Sequence, residues 1–172
     1  MNIRLLPVSL LATLIVSGCG QKDPAAPKSE ASAAAPAAAA AAPAAAAPRV
    51  IEITANDTMK FSVTTIEAKA GEAIKIVLTN TGTLPKEAMG HNLVILKPGT
   101  DAMAFVTAAT TAKDTDFVPA AFKDQVIAHT TLLGPRKSDE IVLKGLAAGE
   151  YPFICSFPAH FMVGMKGTLI VK

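Results

Sequence analysis

Hydrophobic and polar residues alternate along most of the chain from residue 49 onward, in short segments separated by turn residues. A period of two is typical of β-strands that bury one face. Eight such segments occur, at residues 50–54, 61–66, 73–78, 92–96, 124–128, 140–143, 149–155 and 167–171. Gly, Pro and Asn punctuate them, as in 98–99 and 80–82. Short strands at this spacing predict an all-β, two-sheet antiparallel sandwich.

One stretch departs from the alternation. Residues 101–112 place apolar side chains at helical spacing, and Asp101 stands where a helix N-cap belongs. This pattern predicts a short helix inserted in a long connection, followed by a loop to about Lys123.

The N-terminus carries a different pattern. Residues 1–18 combine Arg4 with an apolar run over 5–16, which is too short for a membrane span of about 20 residues and is typical of an export signal. The segment ends in Val16-Ser17-Gly18-Cys19, and small residues before a Cys resemble a bacterial lipobox. We expect Cys19 to carry lipid and to form the mature N-terminus; the alternative is an ordinary signal peptide that contains a Cys.

Residues 19–48 form the expected lipidated N-terminus and tether. Residues 31–48 contain fourteen Ala, three Pro and one Ser, a composition that cannot build a core. This tract also explains the 51% hydrophobic content, which therefore does not indicate a membrane protein. The remaining residues, 49–172, suffice for one domain; their 13 basic and 12 acidic residues give no reason to expect nucleic acid as a partner.

Candidate chemistry is concentrated in residues 155–165. This segment holds Cys155, His160 and Met165 between two predicted strands, and His91 lies far upstream. Thiolate, imidazole and thioether are the ligands on which a mononuclear blue-copper site draws. Cys19 and Cys155 are the two cysteines, and if Cys19 is lipidated, Cys155 is a lone thiol that needs burial or a metal.

At these residues the sequence resembles the cupredoxins, and the azurins among them. The matching stretches are 84–92, 126–130, 155–160 and 165–169, and the resemblance extends over residues 49–172. It implies a cupredoxin-type Greek-key sandwich with one copper ion. It also implies that His91, Cys155 and His160 are the strong ligands, Met165 the long axial ligand, and the Gly90 carbonyl a weak fifth contact.

Two features differ from the azurin pattern. Four residues separate His160 from Met165, where azurins have three, and this spacing is similar to that of plastocyanin and auracyanin. Met162 is therefore an alternative axial ligand. In addition, no Cys occurs in the first strands, so the azurin disulfide is absent.

The resemblance assigns roles to further residues. Asn92 is expected to tie down the ligand loop and Phe157 to shield the thiolate. The exposed edge of His160 is expected to pass electrons, surrounded by an apolar docking patch that includes Leu84, Met89, Phe161 and Met162. The alternative for Phe157 and Phe161 is that they are core residues. His129 lies outside the ligand pattern and is read as structural.

The expected function is electron transfer without enzymatic activity. The expected partners are c-type cytochromes or copper-containing reductases and oxidases, docked transiently by a monomer. The expected location is the periplasmic side of the envelope, with the lipid on Cys19 in the outer membrane of a Gram-negative bacterium, since Gly20 resembles the outer-membrane sorting pattern. The alternatives are a periplasmic copper-buffering protein and a surface lipoprotein whose role is interaction.

Overall fold

A computed structural model describes residues 47–172, and these residues form two β-sheets that pack face to face. The predicted signal segment, the lipobox at Cys19 and nearly all of the predicted tether lie outside the described residues. The eight strands are β1 (Arg49–Ala55), β2 (Thr65–Ala68), β3 (Ile74–Asn80), β4 (Val94–Leu96), β5 (Val126–His129), β6 (Ser138–Leu143), β7 (Gly149–Ile154) and β8 (Lys166–Val171).

The strand order confirms the two-sheet sandwich but not a wholly antiparallel one. One sheet has the order β1-β3-β6 and the other β2-β8-β7-β4-β5. The pairs β1 with β3 and β2 with β8 are parallel, whereas the remaining pairs are antiparallel. Consecutive strands β1 and β2 lie in different sheets, so β1 pairs with β3 and β2 pairs with β8. Alternation reports which face of a strand is buried and carries no information about strand direction.

The main core lies between the two sheets. In β3, Ile74, Ile76 and Leu78 are at most 1% exposed, while the intervening side chains are half-buried. Each such side chain contributes about 1.5–3 kcal/mol when it is removed from water. The predicted strand at 61–66 is shorter in the structure: it begins at Thr65, and Phe61 forms an isolated bridge to Ala55.

A second core lies on the outer face of the larger sheet, beneath the inserted helix. Helix α2 (Ala102–Ala109) follows Asp101, whose carboxylate accepts hydrogen bonds from the backbone N–H groups of Met103 and Ala104 at 2.9 and 3.0 Å. Phe105 of this helix is fully buried against β4 and β7. All three residues of β4 are buried because the strand is covered on both faces.

The remaining helices are short. Helix α1 is the single turn Lys86–Met89, and two 3-10 helices, Lys113–Thr115 and Ala120–Gln125, occupy the segment expected to be a loop. Within residues 47–172, none of the helices combines the length and the apolar character that a membrane crossing requires.

Candidate metal centre

Three buried side chains converge at one end of the sandwich. One ligand atom from each of His91, Cys155 and His160 lies within 4.8 Å of the others. Cys155 Sγ and His160 Nδ1 are 3.4 Å apart, and all three residues are at most 2% exposed. In the described part of the chain, this is the one group of three or more His, Cys, Asp or Glu side chains placed to hold a metal.

The strand register places the loop that carries two of these residues. Strands β7 and β8 pair up to Ile154 and Lys166, so residues 155–165 form the connection between them. Cys155 N–H donates to the Met165 carbonyl at 3.1 Å, and Met165 N–H donates to the His160 carbonyl at 3.0 Å. The protein backbone therefore closes the loop without help from a metal.

His91 reaches the same point from a different part of the chain. Its backbone exchanges two hydrogen bonds with Leu133, at 3.1 and 2.8 Å, as an isolated bridge. The preceding residue must be small, because a Cβ on Gly90 would lie 2.6 Å from the Lys86 carbonyl oxygen and 2.9 Å from the Leu132 side chain. Gly90 thus lets α1 pack closely against the ligand segment.

Asn92 links the two ligand segments. Its Oδ1 accepts from Ser156 N–H at 2.9 Å, and its Nδ2 donates to Ser156 Oγ and to the Asp116 carbonyl, both at 2.8 Å. Asn92 and Ser156 are at most 1% exposed. These bonds hold the residue after His91 against the residue after Cys155, and they extend to the connection that follows α2.

Aromatic rings enclose the cluster. The ring centroids of His91 and His160 are 4.9 Å apart, and Phe157 packs on His160 at 4.6 Å. Phe117 meets Phe157 edge to face at 5.1 Å. The rings keep water away from the thiol and imidazole atoms.

This dry environment disfavours charge on the free ligands. Burial raises the pKa of the Cys155 thiol to about 12. Burial, with the neighbouring His91, lowers the pKa of His160 to about 4, and burial also lowers the pKa of His91. At neutral pH the apoprotein therefore holds two neutral imidazoles and a protonated thiol.

The residues fit a soft or borderline transition metal. Both ring nitrogens of His91 are buried and make no hydrogen bond of ordinary length, although the Asn56 backbone partly offsets the lowering of the pKa of the ring. A metal bound to one of these nitrogens would replace a missing contact. Met165 is fully buried in the same core cluster as Cys155 and supplies a thioether near the end of the loop. Two imidazoles, one thiol and a thioether form the donor set of a blue-copper centre.

The predicted docking residues differ in their exposure to solvent. Leu84 and Met162 are 43% and 64% exposed, and Met89 is half-buried. Phe161 does not belong to a surface patch: it is buried in the second core, and Lys166 Nζ lies 4.5 Å from its ring centroid. The edge of His160 was expected to be exposed, yet the residue is only 2% exposed because Phe157 covers it.

Other supporting residues were not predicted. Ser156 and the Asp116 carbonyl complete the Asn92 contacts, and Leu133 pairs with His91. Backbone carbonyls leave no signal in the sequence, so only the fold reveals them. His129 is exposed and stands outside the cluster, in agreement with its structural interpretation.

Comparison with known proteins agrees with a copper-binding donor set. The family described as copper binding proteins, plastocyanin/azurin family, matches residues 48–172. An azurin from Alcaligenes faecalis is 37% identical over 69% of this chain and 94% of its own length. Outer membrane protein H.8 of Neisseria meningitidis serogroup B is 40% identical over 69% of this chain and 66% of its own length.

Solved structures agree with the sequence matches. The auracyanin of Roseiflexus castenholzii is 34% identical with a TM-score of 0.65, over 73% of this chain and 98% of that one. An azurin from Methylomonas sp. strain J is 30% identical with the same TM-score of 0.65, over 73% and 99% of the two chains. The chain therefore belongs to the plastocyanin/azurin family of copper-binding proteins.

Proposed function

We propose that the chain is an exported, membrane-anchored blue-copper protein that carries single electrons between redox partners in the bacterial periplasm. As a member of its family it is a copper-binding electron-transfer protein. The observation that carries the proposal is the buried cluster of His91, Cys155 and His160, with ligand atoms within 4.8 Å of one another.

In this proposal His91, Cys155 and His160 would be the strong ligands of the copper, Met165 would be a weaker ligand, and the Gly90 carbonyl would add a very weak contact. Bound copper supplies a one-electron couple that imidazole, thiolate and thioether accommodate in both oxidation states. The backbone bonds that close the loop keep the donor atoms in place, so that little rearranges when the charge changes.

An enzymatic role is not proposed. Four protein side chains fill the proposed ligand set, which leaves no position where a substrate would coordinate, whereas catalytic metal sites keep one open. The aromatic enclosure of His160 by Phe157 likewise keeps small molecules away from the cluster.

Partner docking is proposed at the end of the domain that carries the ligand loop. Met162 and Val163 are 64% and 46% exposed within that loop, and Leu84 precedes the His91 segment with 43% exposure. Exposed apolar groups suit a small interface from which a c-type cytochrome, or a copper-containing reductase or oxidase, dissociates quickly. His160, buried under Phe157 in the same loop, is the proposed route for the electron.

The position at which the domain begins supports an anchor. Arg49 opens β1, and its side chain bonds to Glu72 and to the Glu67 carbonyl beside the chain terminus at Lys172. The register of β7 with β8 places this end about 20 Å from the ligand loop. An anchor through Cys19 would leave the copper end free. The name of the H.8 relatives supports an outer-membrane location.

Copper titration of the apoprotein tests the site. We expect an intense blue absorption from thiolate-to-copper charge transfer, and we expect Cys155→Ala to remove it. His129→Asn is the matched control and should keep the colour. A colourless copper complex of the unsubstituted chain would contradict the proposal.

Stopped-flow mixing with a cytochrome c separates an electron carrier from a copper buffer. A carrier is oxidised and reduced rapidly while it keeps its metal, whereas a buffer loses copper to a chelator during the same exchange.

Cys19→Ser should release the protein from membranes, and continued membrane association would refute the lipid anchor.

A further inference from the structure

The ligand loop receives a hydrogen bond from a distant lysine. Lys60, between β1 and β2, donates from its Nζ to the Val163 carbonyl at 2.5 Å, across 103 residues of sequence. Val163 lies in the four-residue spacer between His160 and Met165, the segment in which this chain differs from the azurin spacing.

The spacer is a tight turn that ends beside Met165. Val163 N–H donates to the Ala159 carbonyl at 3.3 Å, and Gly164 N–H donates to the Phe161 carbonyl at 3.0 Å. Gly164 has a φ of 91°, a conformation that other residues rarely adopt. Lys60 Nζ lies 3.2 Å from the point a Cβ on Gly164 would occupy, so the ammonium group packs directly against this turn.

The backbone at Lys60 is itself well supported. Phe61 is 6% exposed, pairs with Ala55, and packs its ring 5.6 Å from that of Phe153. Phe153 belongs to β7, two residues before Cys155. Lys60 therefore spans from a segment fixed to the Cys155 strand to the turn that leads to Met165.

We infer that Lys60 is a positioning residue for the copper centre, which holds the spacer turn and thereby sets the approach of the Met165 thioether. This inference rests on the proposed function. The ammonium also adds one positive charge beside the loop, and positive charge favours the reduced state of a redox centre. Loss of Lys60 should therefore loosen the turn, and the loss of its positive charge should lower the reduction potential.

The test compares Lys60→Met with Lys144→Met in the full-length copper protein. Lys144 is exposed in the turn after β6, so its substitution removes the same charge far from the loop. In equilibrium with a cytochrome c, we expect Lys60→Met to favour the oxidised copper protein about threefold to tenfold, where tenfold corresponds to about 59 mV. Lys144→Met should change the ratio of oxidised to reduced copper protein by less than half as much. Lys60→Arg, which keeps the positive charge, should give the ratio of the unsubstituted protein.

A second measurement uses the apoprotein and does not depend on copper. Hydrogen exchange at the Gly164 and Met165 amides should be at least about fivefold faster in Lys60→Met, and unchanged in Lys144→Met. Equal potentials and equal exchange in the two variants would overturn the inference. If the unsubstituted protein binds copper without a blue colour, the proposed function fails, while the exchange comparison still decides whether Lys60 holds the turn.

Discussion

The buried, neutral imidazole of His160 makes the stability of the apoprotein depend on pH. The folded state holds the pKa of His160 at about 4, against an ordinary value of 6.5. Between these two pH values the unfolded chain binds a proton on this side chain and the folded chain does not. Stability is therefore fully present above pH 6.5, falls as the pH decreases, and stops falling, as far as His160 contributes, below about pH 4.

The size of the loss follows from the shift. One pKa unit corresponds to about 1.4 kcal/mol, so the change at His160 amounts to about 3 kcal/mol. That is a large share of the roughly 5–15 kcal/mol by which domains of this size are stable. A single pH profile does not isolate His160, because burial also lowers the pKa of His91. Several carboxylates with lowered pKa values also lose stabilising bonds in acid; they are Asp57, Glu67, Glu72 and Asp139.

The contribution of His160 is isolated by comparing how much stability two variants lose between the same two pH values. Urea unfolding of the copper-free protein at about pH 8 and about pH 4 should show a loss about 3 kcal/mol larger for the unsubstituted chain than for His160→Gln. His129→Asn, which replaces an exposed histidine outside the cluster, should follow the unsubstituted chain. Parallel profiles for the unsubstituted chain and His160→Gln would refute a dry pocket around His160 in the apoprotein.

Three further outcomes are expected. Copper(II) uptake near pH 7.5 should release about one proton, because Cys155 is protonated in the apoprotein. A pH indicator in weakly buffered solution measures the release, and Cys155→Ala should abolish it. Asn92→Ala should lower the free energy of unfolding by about 2–3 kcal/mol in urea titrations, since it leaves Ser156 N–H buried without its partner. Phe105→Ala should cost about 3–5 kcal/mol because the side chain is fully buried. The control for Phe105→Ala is Val142→Ala, which should cost less than about 1 kcal/mol because Val142 is 42% exposed.

The sequence predicts those features that depend on residue type and period. Alternation located all eight strands within a few residues, and Asp101 with helical spacing located α2. The ligand group was predicted because only a few side chains bind copper, and the structure brings His91, Cys155 and His160 together. Side-chain chemistry was sufficient for these predictions because each rests on a local pattern or on a rare residue type.

The features that were missed depend on packing between distant segments. The sequence leaves Phe161 either in the docking patch or in the core, and only the position of α2 over β4 and β7 shows that its ring is buried. The parallel pairing of β1 with β3 depends on how the chain crosses between sheets. Lys60 bonds to a backbone carbonyl, and carbonyls are identical at every position, so this contact has no sequence signature.

The interactions that bring the donor atoms together for copper also destabilise the folded apoprotein at the site. Backbone bonds close the loop, and Asn92 fixes it to the His91 segment, so the donor atoms meet before any metal binds. Their meeting buries both His91 nitrogens without a hydrogen bond of ordinary length and keeps Cys155 protonated. A metal that binds one nitrogen of His91 together with the Cys155 thiolate stabilises the folded state by about 4 kcal/mol at a free concentration about 1,000 times its dissociation constant. Copper binding and fold stability are therefore two measures of one preorganised arrangement, and variants that loosen the loop should weaken both.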